Sequence, residues 1–323
     1  MFAAILLLGA SLYGIPANAQ LGGGESLSIS INPQYPRPYQ TISITPRSNL
    51  LNLSASTVTV SVNGAVVEKG SGVLTAYARV GGSGERTTIR VTAVSNGQTY
   101  SAETTVRPAD VSLVVEPIST VHPFYKGGSL TASEGRVRLI ALPDIRTAAG
   151  AQVANENLVY TWRLGSQILQ SASGIGRSSL TATAPVRYRD ANVSVTVSTQ
   201  DSSVVAQATT AIAPVDPFIR IYRNDPLLGP LFDRAFTGTL GMTTDEESFR
   251  MVPYFFAARP QLSWSVNAVT SGSDEDITVR STGNGRGSAL ITATAKRTEN
   301  LQTADTTLTL RFGQERQLGI FGL

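Results

Sequence analysis

The chain has 323 residues, which fits two or three domains, and 41% hydrophobic with only 15% charged residues is enough to build packed cores. Lys and Arg total 26 against 23 Asp and Glu, and the net charge of +3 comes without a clustered basic face, so nucleic-acid binding is not expected. Cysteine is absent and histidine occurs once. These counts exclude disulfide scaffolds, thiol chemistry and nearly every zinc site.

Residues 1–19 are expected to be a signal peptide. Phe2 to Tyr13 form an apolar run of the usual length, and the small residues of Pro16-Ala17-Asn18-Ala19 suit cleavage after Ala19. The alternative is an uncleaved anchor, but the run is shorter than the ~20 residues that a bilayer span requires. We therefore expect a secreted protein, extracellular or on the cell surface, with a linker at 20–25 and no transmembrane segment after cleavage.

Short runs of alternating apolar and polar residues follow the linker, separated by Gly, Pro, Asn and Asp. Two examples are Thr57-Val58-Thr59-Val60-Ser61-Val62 and the run from Thr88 to Val94. Alternation with many β-branched residues predicts half-buried antiparallel strands. The pairs Asn63-Gly64 and Asn96-Gly97 predict tight hairpin turns, because this dipeptide tolerates positive φ at both positions.

A long-period repeat predicts the domain organisation. Trp162 and Trp264 lie in similar strand patterns 102 residues apart (264 minus 162), and Val60 lies another 102 residues upstream (162 minus 60). Repetition at a fixed period indicates copies of one structural unit. With Val60, Trp162 and Trp264 as structural core residues, we predict three domains at 26–109, 110–215 and 216–314, followed by a C-terminal tail at 315–323.

A tryptophan on a central strand of tandem units of this size resembles the immunoglobulin-like domains, in the wider group of bacterial secreted Ig-like and PKD-like proteins. Trp162 and Trp264 carry the resemblance, whereas the cysteine pair of antibody domains is absent and Val60 stands in place of the first tryptophan. The resemblance implies an all-β fold of three tandem Ig-like antiparallel β-sandwiches. It implies no single activity, because this sandwich serves adhesion, display, sugar binding and scaffolding.

The third domain departs furthest from the repeat. Asp225 followed by Pro226 is a typical helix start, and Leu228, Leu231 and Phe232 would then share one helical face. We therefore expect a short helical insertion whose apolar stripe covers one end of the sandwich. The alternative is an exposed partner surface for assembly, formed by Phe232, Phe236, Tyr254, Phe255 and Phe256.

The reactive residues form no recognisable catalytic set. The single imidazole, His122, has no second histidine and no Gly-x-Ser-x-Gly elbow to work with, so we expect a surface or turn residue. The acidic runs Asp245-Glu246-Glu247 and Asp274-Glu275-Asp276 are expected at solvated loop tips. Asp274, Glu275 and Asp276 are also candidate calcium ligands, although the Asp-x-Asp-x-Asp-Gly spacing is missing. We expect no cofactor and no enzymatic activity.

These observations favour a non-enzymatic structural or adhesion protein that presents a contact surface on a string of rigid Ig-like domains. A protein partner or self-association is expected, because open sandwich edges can accept further strands. The alternative is a carbohydrate-binding accessory protein of the cell envelope that takes a cell-wall or surface glycan. Its exposed aromatic rings would be those of Tyr35, Tyr39, Tyr125 and Tyr254.

Overall fold

The computed structural model describes residues 27–72, 74–282 and 285–313. The expected signal peptide, the linker at 20–25 and the tail at 315–323 lie outside these residues. In the described part, strands are joined by turns and by three single-turn 3-10 helices of three residues each. No helix in that part is both long and apolar enough to span a bilayer. The predicted all-β class is confirmed.

The first sandwich is built from seven strands: β1 (Ser28–Asn32), β2 (Thr41–Arg47), β3 (Thr57–Val62), β4 (Ala65–Ser71), β5 (Ala76–Arg79), β6 (Thr87–Ser95) and β7 (Gln98–Val106). Their sheet orders are β1-β2-β5 and β4-β3-β6-β7. Strand β6 shows the predicted alternation, since Ile89, Val91 and Ala93 are buried and Arg90 is exposed. The predicted hairpin turn at Asn63-Gly64 is confirmed, with φ of 51° and 85° and Val62 paired with Ala65.

The second sandwich follows the same plan. It contains β8 (Asp110–Ile118), β9 (Arg136–Asp144), β10 (Val159–Leu164), β11 (Gln167–Ile168), β12 (Gly174–Ile175), β13 (Ser179–Thr183), β14 (Ala191–Ser198) and β15 (Val205–Ile212). One sheet has the order β13-β9-β8 and the other the order β11-β10-β14-β15, with β12 on β10. In the Ig-like fold the first, second and fifth main strands form one sheet, and the third, sixth and seventh form the other. The second sandwich has this arrangement, with β8, β9 and β13 facing β10, β14 and β15.

The third sandwich carries extra strands at its edges. It contains β16 (Phe218–Asp225), β17 (Gly229–Phe236), β18 (Gly238–Gly241), β19 (Glu246–Tyr254), β20 (Gln261–Val266), β21 (Val269–Gly272), β22 (Asp276–Arg280), β23 (Gly287–Arg297) and β24 (Gln302–Phe312). The sheet orders are β17-β16-β19-β22 and β18-β24-β23-β20-β21. Strand β18 runs parallel to β24.

Each sheet pair encloses its own core. Val60, Trp162 and Trp264 are fully buried, one in each core. Each indole also donates a hydrogen bond, from Trp162 Nε1 to the carbonyl of Arg177 (2.9 Å) and from Trp264 Nε1 to the carbonyl of Asp274 (3.0 Å). A buried ring with its N–H satisfied fixes the strand beneath it to a specific loop.

The described chain divides into two compact units, so the predicted boundaries of three domains stay a prediction. The first unit holds 27–34, Thr41–Val80 and Thr87–Val106. The second unit holds Tyr35–Gln40, Gly81–Arg86 and the chain from 107 to 313, so it contains both the second and the third sandwich. The contacts between those two sandwiches are therefore internal to one compact body.

The predicted helical insertion in the third domain is wrong. Asp225 Oδ1 accepts hydrogen bonds from the amides of Leu227 (2.8 Å) and Leu228 (2.9 Å), as a helix cap would, but the chain then turns back as β17. Strand β17 pairs with β16, from Asp225 with Gly229 to Ile221 with Phe236. An isolated helix of this length is marginal in water, so pairing with an existing strand decides the conformation.

Candidate functional site

The connecting segment between β8 and β9, residues 119–135, belongs to the second sandwich and contacts the third. The Thr120 amide donates to the carbonyl of Phe256 (2.8 Å), and the Phe255 amide donates to the carbonyl of Thr120 (2.7 Å). Thr120 thus bonds to two successive residues of the third sandwich, as one residue does opposite a β-bulge. These two bonds attach this connecting segment to the chain just beyond the end of β19.

Side chains from both sandwiches form an aromatic cluster at this contact. Its buried members are Tyr222, Val252, Tyr254 and Phe255, and the partly buried Val121, Val215, Phe218, Phe232 and Ala235 pack around them. Tyr125 of the connecting segment lies 5.3 Å from Tyr254 and 5.8 Å, edge-on, from Phe255, measured between ring centroids. Phe218 stacks on Tyr254 at 5.0 Å. Such ring pairs each contribute about 0.5–1.5 kcal/mol beyond the area they bury.

A buried glutamine at the start of β24, in the other sheet of the third sandwich, supports the same contact. The Gln302 side chain donates from Nε2 to the carbonyl of Ser133 (3.0 Å) and accepts at Oε1 from the amide of Ala257 (2.9 Å). The Val215 amide donates to the carbonyl of Thr131 (2.8 Å) in the stretch that joins the two sandwiches. These hydrogen bonds join buried polar groups of the two sandwiches. Because each group needs its partner, the bonds fix the orientation in which the sandwiches pack.

Beside the aromatic cluster lies an open cleft with a cavity volume of about 540 Å³. It is lined by His122, Phe124, Tyr125, Lys126, Gly127, Tyr222, Phe232, Asp233 and Tyr254. The Phe124 ring stands 71% exposed at its edge. A glycine at position 127 allows the Tyr125 ring to lie against the loop, because a Cβ there would come within 2.7 Å of that ring.

Two tyrosine hydroxyls meet in the wall of the cleft. The Tyr222 and Tyr254 hydroxyl oxygens are 3.1 Å apart and hydrogen-bonded. Burial, followed by this hydrogen bond, raises the pKa of Tyr254 well above its ordinary value of 10.0. Tyr254 therefore stays protonated at neutral pH. One hydroxyl donates to the other, so within the described part of the chain the second O–H has no side-chain acceptor and points to a further hydrogen bond.

His122 begins a turn, in which the Tyr125 amide donates to its carbonyl (2.9 Å), and its side chain is half-buried. Its ring packs 4.2 Å from Phe232 and 5.4 Å from Phe124, between centroids, and its Nδ1 accepts a hydrogen bond from the Phe124 amide (3.3 Å). A second cavity of about 240 Å³ lies beside it, lined in part by Arg250, Arg259 and Glu275. Burial and then the charge of Arg250 lower the pKa of His122 below 6.5, while Glu275 opposes them.

The lowered pKa of His122 predicts a loss of stability in acid. Below pH 6.5 the unfolded chain takes up a proton that the folded chain does not, so the contribution is complete above that pH and falls as the pH drops towards the lowered pKa. We expect the urea midpoint of the parent chain to fall relative to His122→Phe, which keeps the ring contacts, between about pH 7.5 and about pH 5.5. Parallel midpoints across this range would contradict the prediction.

Arginine side chains form ion pairs with the carboxylates of the acidic runs. Asp276 accepts two hydrogen bonds from Arg250 (2.7 and 2.6 Å), and Glu275 accepts one from Arg259 (2.9 Å). Among the described residues no group of three His, Cys, Asp or Glu side chains is arranged to hold a metal ion. This arrangement gives the calcium alternative for Asp274, Glu275 and Asp276 no support.

Glu247 departs from the predicted solvated loop tip. Its side chain is buried and accepts hydrogen bonds from the Thr243 amide (2.9 Å), the Thr243 hydroxyl (3.2 Å) and Arg223 Nη2 (3.1 Å). Neighbouring Glu246 is partly exposed and pairs with Arg280. The run is therefore a structural element of the third sandwich, since a buried carboxylate needs such partners.

The aromatic residues predicted as an exposed partner surface are largely covered. Tyr254, Phe255 and Phe256 are buried, and Phe232 and Phe236 are half-buried. The expectation of exposure is wrong because the second sandwich of the same chain packs over part of this set. Of the four tyrosines proposed for sugar stacking, Tyr125 and Tyr254 meet at the cleft, whereas Tyr35 and Tyr39 lie elsewhere.

Several residues of the site are not predicted by the sequence pattern. Tyr222 and Phe218 belong to an ordinary alternating strand, and Thr120 and Gln302 carry no distinctive motif. One usable signal was present, since the irregular stretch beginning at His122 places Phe124 and Tyr125 in a connection longer than a hairpin loop needs. Long ordered connections that carry aromatic residues are often functional.

No protein-family model matches the chain, and no curated protein matches it. Solved structures with similar coordinates include the three N-terminal domains of the bacteriophage RB49 highly immunogenic outer capsid protein Hoc, at 12% identity and a TM-score of 0.27, covering 90% of this chain and 99% of that one. Sidekick-1 immunoglobulin domains 1–5 match at 11% identity and a TM-score of 0.31, covering 88% and 58%. The fibronectin(III)-like modules of Clostridium thermocellum CbhA match at 12% identity and a TM-score of 0.28. This match covers 58% of this chain and 94% of that one.

Proposed function

We propose that this chain is a non-enzymatic structural or adhesion protein, secreted to the cell surface or the extracellular space, that presents a contact surface on a string of rigid Ig-like domains. The observation that carries the proposal is the contact between the second and third sandwiches. Backbone hydrogen bonds, a buried glutamine and the aromatic cluster turn two sandwiches into one compact body. Such a body transmits position and force along its length instead of bending at a hinge.

The short link between the two sandwiches supports the same role. Five residues, 213–217, separate the end of β15 from the start of β16, and they include Pro214 and Pro217. Proline restricts the backbone at both points. Asp216 forms an ion pair with Arg187 of the second sandwich at 2.7 Å. The two prolines restrict the backbone of the link, and the ion pair fixes it to the second sandwich.

Cysteine labelling on intact cells tests the proposed location, because the natural chain contains no cysteine and an introduced thiol is unique. Leu227 is 94% exposed at a hairpin turn, and we expect Leu227→Cys to react with a membrane-impermeant maleimide on unbroken cells of the source organism. Val195→Cys, at a fully buried position, is the matched control and should react only after denaturation. Labelling of Leu227→Cys only after cell lysis would overturn the proposed location.

The second candidate function is carbohydrate binding in the cell envelope. The specific observation in its favour is the cleft, where Tyr125 and Tyr254 come together with exposed Phe124. The structural role does not require this open cleft, because the buried members of the aromatic cluster already hold the two sandwiches together. The two functions are compatible, since a rigid array can carry a binding site at one of its joints.

A further inference from the structure

We propose that the cleft between the second and third sandwiches binds a neutral pyranose sugar, held by the rings of Phe124 and Tyr125 and by the polar groups of Tyr222, Lys126 and Asp233. This inference rests on the second candidate function and names the residues and ligand class for it. The cleft has a cavity volume of about 540 Å³, which lies within the range of pockets that enclose small ligands.

The rings in the cleft provide the apolar part of such a site. Phe124 is 71% exposed and packs by its centroid 5.4 Å from Phe232, which keeps the ring in place without covering it. Tyr125 is partly exposed and is held against Tyr254 and Phe255. A pyranose presents a flat face of C–H groups, and a supported aromatic ring offers a matching apolar surface at little entropic cost.

The polar groups define a ligand that both donates and accepts hydrogen bonds. The Tyr222–Tyr254 hydroxyl pair retains one O–H at the wall of the cleft within the described residues, Lys126 donates, and Asp233 accepts. Sugar hydroxyls are donors and acceptors at once and can satisfy all three groups.

Charge balance argues for a neutral ligand. Lys126 and Asp233 are the charged residues among those that line the cleft, and their charges cancel. An acidic or basic ligand would leave one of them opposed to a like charge. A proline-rich peptide would use the rings but would leave most of the polar groups without partners, which is why the sugar is favoured.

A panel of immobilised cello-, manno-, laminari- and xylo-oligosaccharides, with proline-rich peptides beside them, tests the inference on the full chain. We expect binding to at least one neutral oligosaccharide and none to the peptides. Phe124→Ala should weaken that binding about tenfold, the scale of one lost ring contact. Asp233→Asn, nearly identical in shape, should weaken it by a similar factor, and Tyr188→Ala, which removes an aromatic side chain 85% exposed elsewhere on the second sandwich, should not.

The outcomes separate this inference from the functions on which it builds. Sugar binding that survives Phe124→Ala and Asp233→Asn would place the site elsewhere and leave carbohydrate binding standing. Binding of peptides alone, or of nothing on the panel, would overturn both the cleft assignment and the second candidate function. Unchanged dichroism and urea midpoints of the variants exclude unfolding as the cause of any loss, since the substituted side chains are exposed.

Discussion

A Trp264→Ala variant is expected to unfold with a free energy about 3–5 kcal/mol below that of the parent chain, and Trp162→Ala should show a loss of the same size. Both indoles are fully buried in their cores. Removal of either ring leaves a cavity that the surrounding strands fill only in part. It also leaves the carbonyl of Asp274 or Arg177 without the hydrogen bond that it accepts now.

Phenylalanine variants separate the two contributions. Trp264→Phe keeps most of the buried apolar surface but leaves the Asp274 carbonyl unpaired, so we expect it to cost about 1–3 kcal/mol. Urea unfolding followed by circular dichroism measures the loss in each variant, because the signal of the strands does not depend on the tryptophan that is removed. Tyr188→Ala should stay within about 0.5 kcal/mol of the parent chain. A Trp264→Ala loss no larger than that control would refute the assigned core.

The second large effect is expected at the contact between the second and third sandwiches. Phe255 is 2% exposed, packs edge-on to Tyr125 and to Phe218, and its amide bonds to Thr120. We expect Phe255→Ala to lower the free energy of unfolding by about 3–5 kcal/mol, because it removes a buried ring from the contact. Loss of the ring should also let the two sandwiches move relative to each other.

Spin labels measure that movement directly. Ile175→Cys in the second sandwich and Leu227→Cys in the third are exposed sites in a chain that has no natural cysteine. With native Phe255 we expect a narrow distribution of label-to-label distances, and with Phe255→Ala a clearly broader one. Equal widths in the two chains would mean that the aromatic cluster does not hold the sandwiches together.

The backbone at Phe255 supplies a matched control. Its φ of 60° lies in the left-handed region, where a side chain costs roughly 1–2 kcal/mol that glycine avoids. Phe255→Gly loses the same ring as Phe255→Ala but relieves this strain. We therefore expect the glycine variant to be the less destabilised of the two. Equal stabilities would show that loss of the ring sets the whole cost, and the reverse order would show that the extra flexibility of glycine in the unfolded chain outweighs the relief of strain.

Much of the architecture could be predicted from the residue pattern. The alternation in β6 requires one buried and one exposed face, and the Asn63-Gly64 pair requires positive φ at both positions. The tryptophans at 162 and 264 lie on equivalent strands, as the repeat predicted. These features depend on neighbours along the chain or on a single strand, and such local preferences can be read without coordinates.

The candidate site depended on partners far apart in the chain. Tyr125 meets Tyr254 and Phe255 across 129 and 130 residues (254 minus 125 and 255 minus 125), and no local pattern indicates which aromatic residue packs against which. Asp225 gave a correct local signal, since it caps a turn, but the pairing of β17 with β16 decided against a helix. The predicted exposure of Phe255 is wrong for the same reason, because the packing of one sandwich on another covers its ring.

By itself the sequence determined an all-β chain of repeated sandwiches with buried tryptophans, because strand periodicity and turn chemistry act over a few residues. Only the tertiary structure decided that the second and third sandwiches form one body, that the predicted helix is a strand, and that His122, Phe124 and Tyr125 border a cleft with Tyr222 and Asp233. Those outcomes depend on long-range packing, in which the free energy of burying rings and pairing strands outweighs local preference.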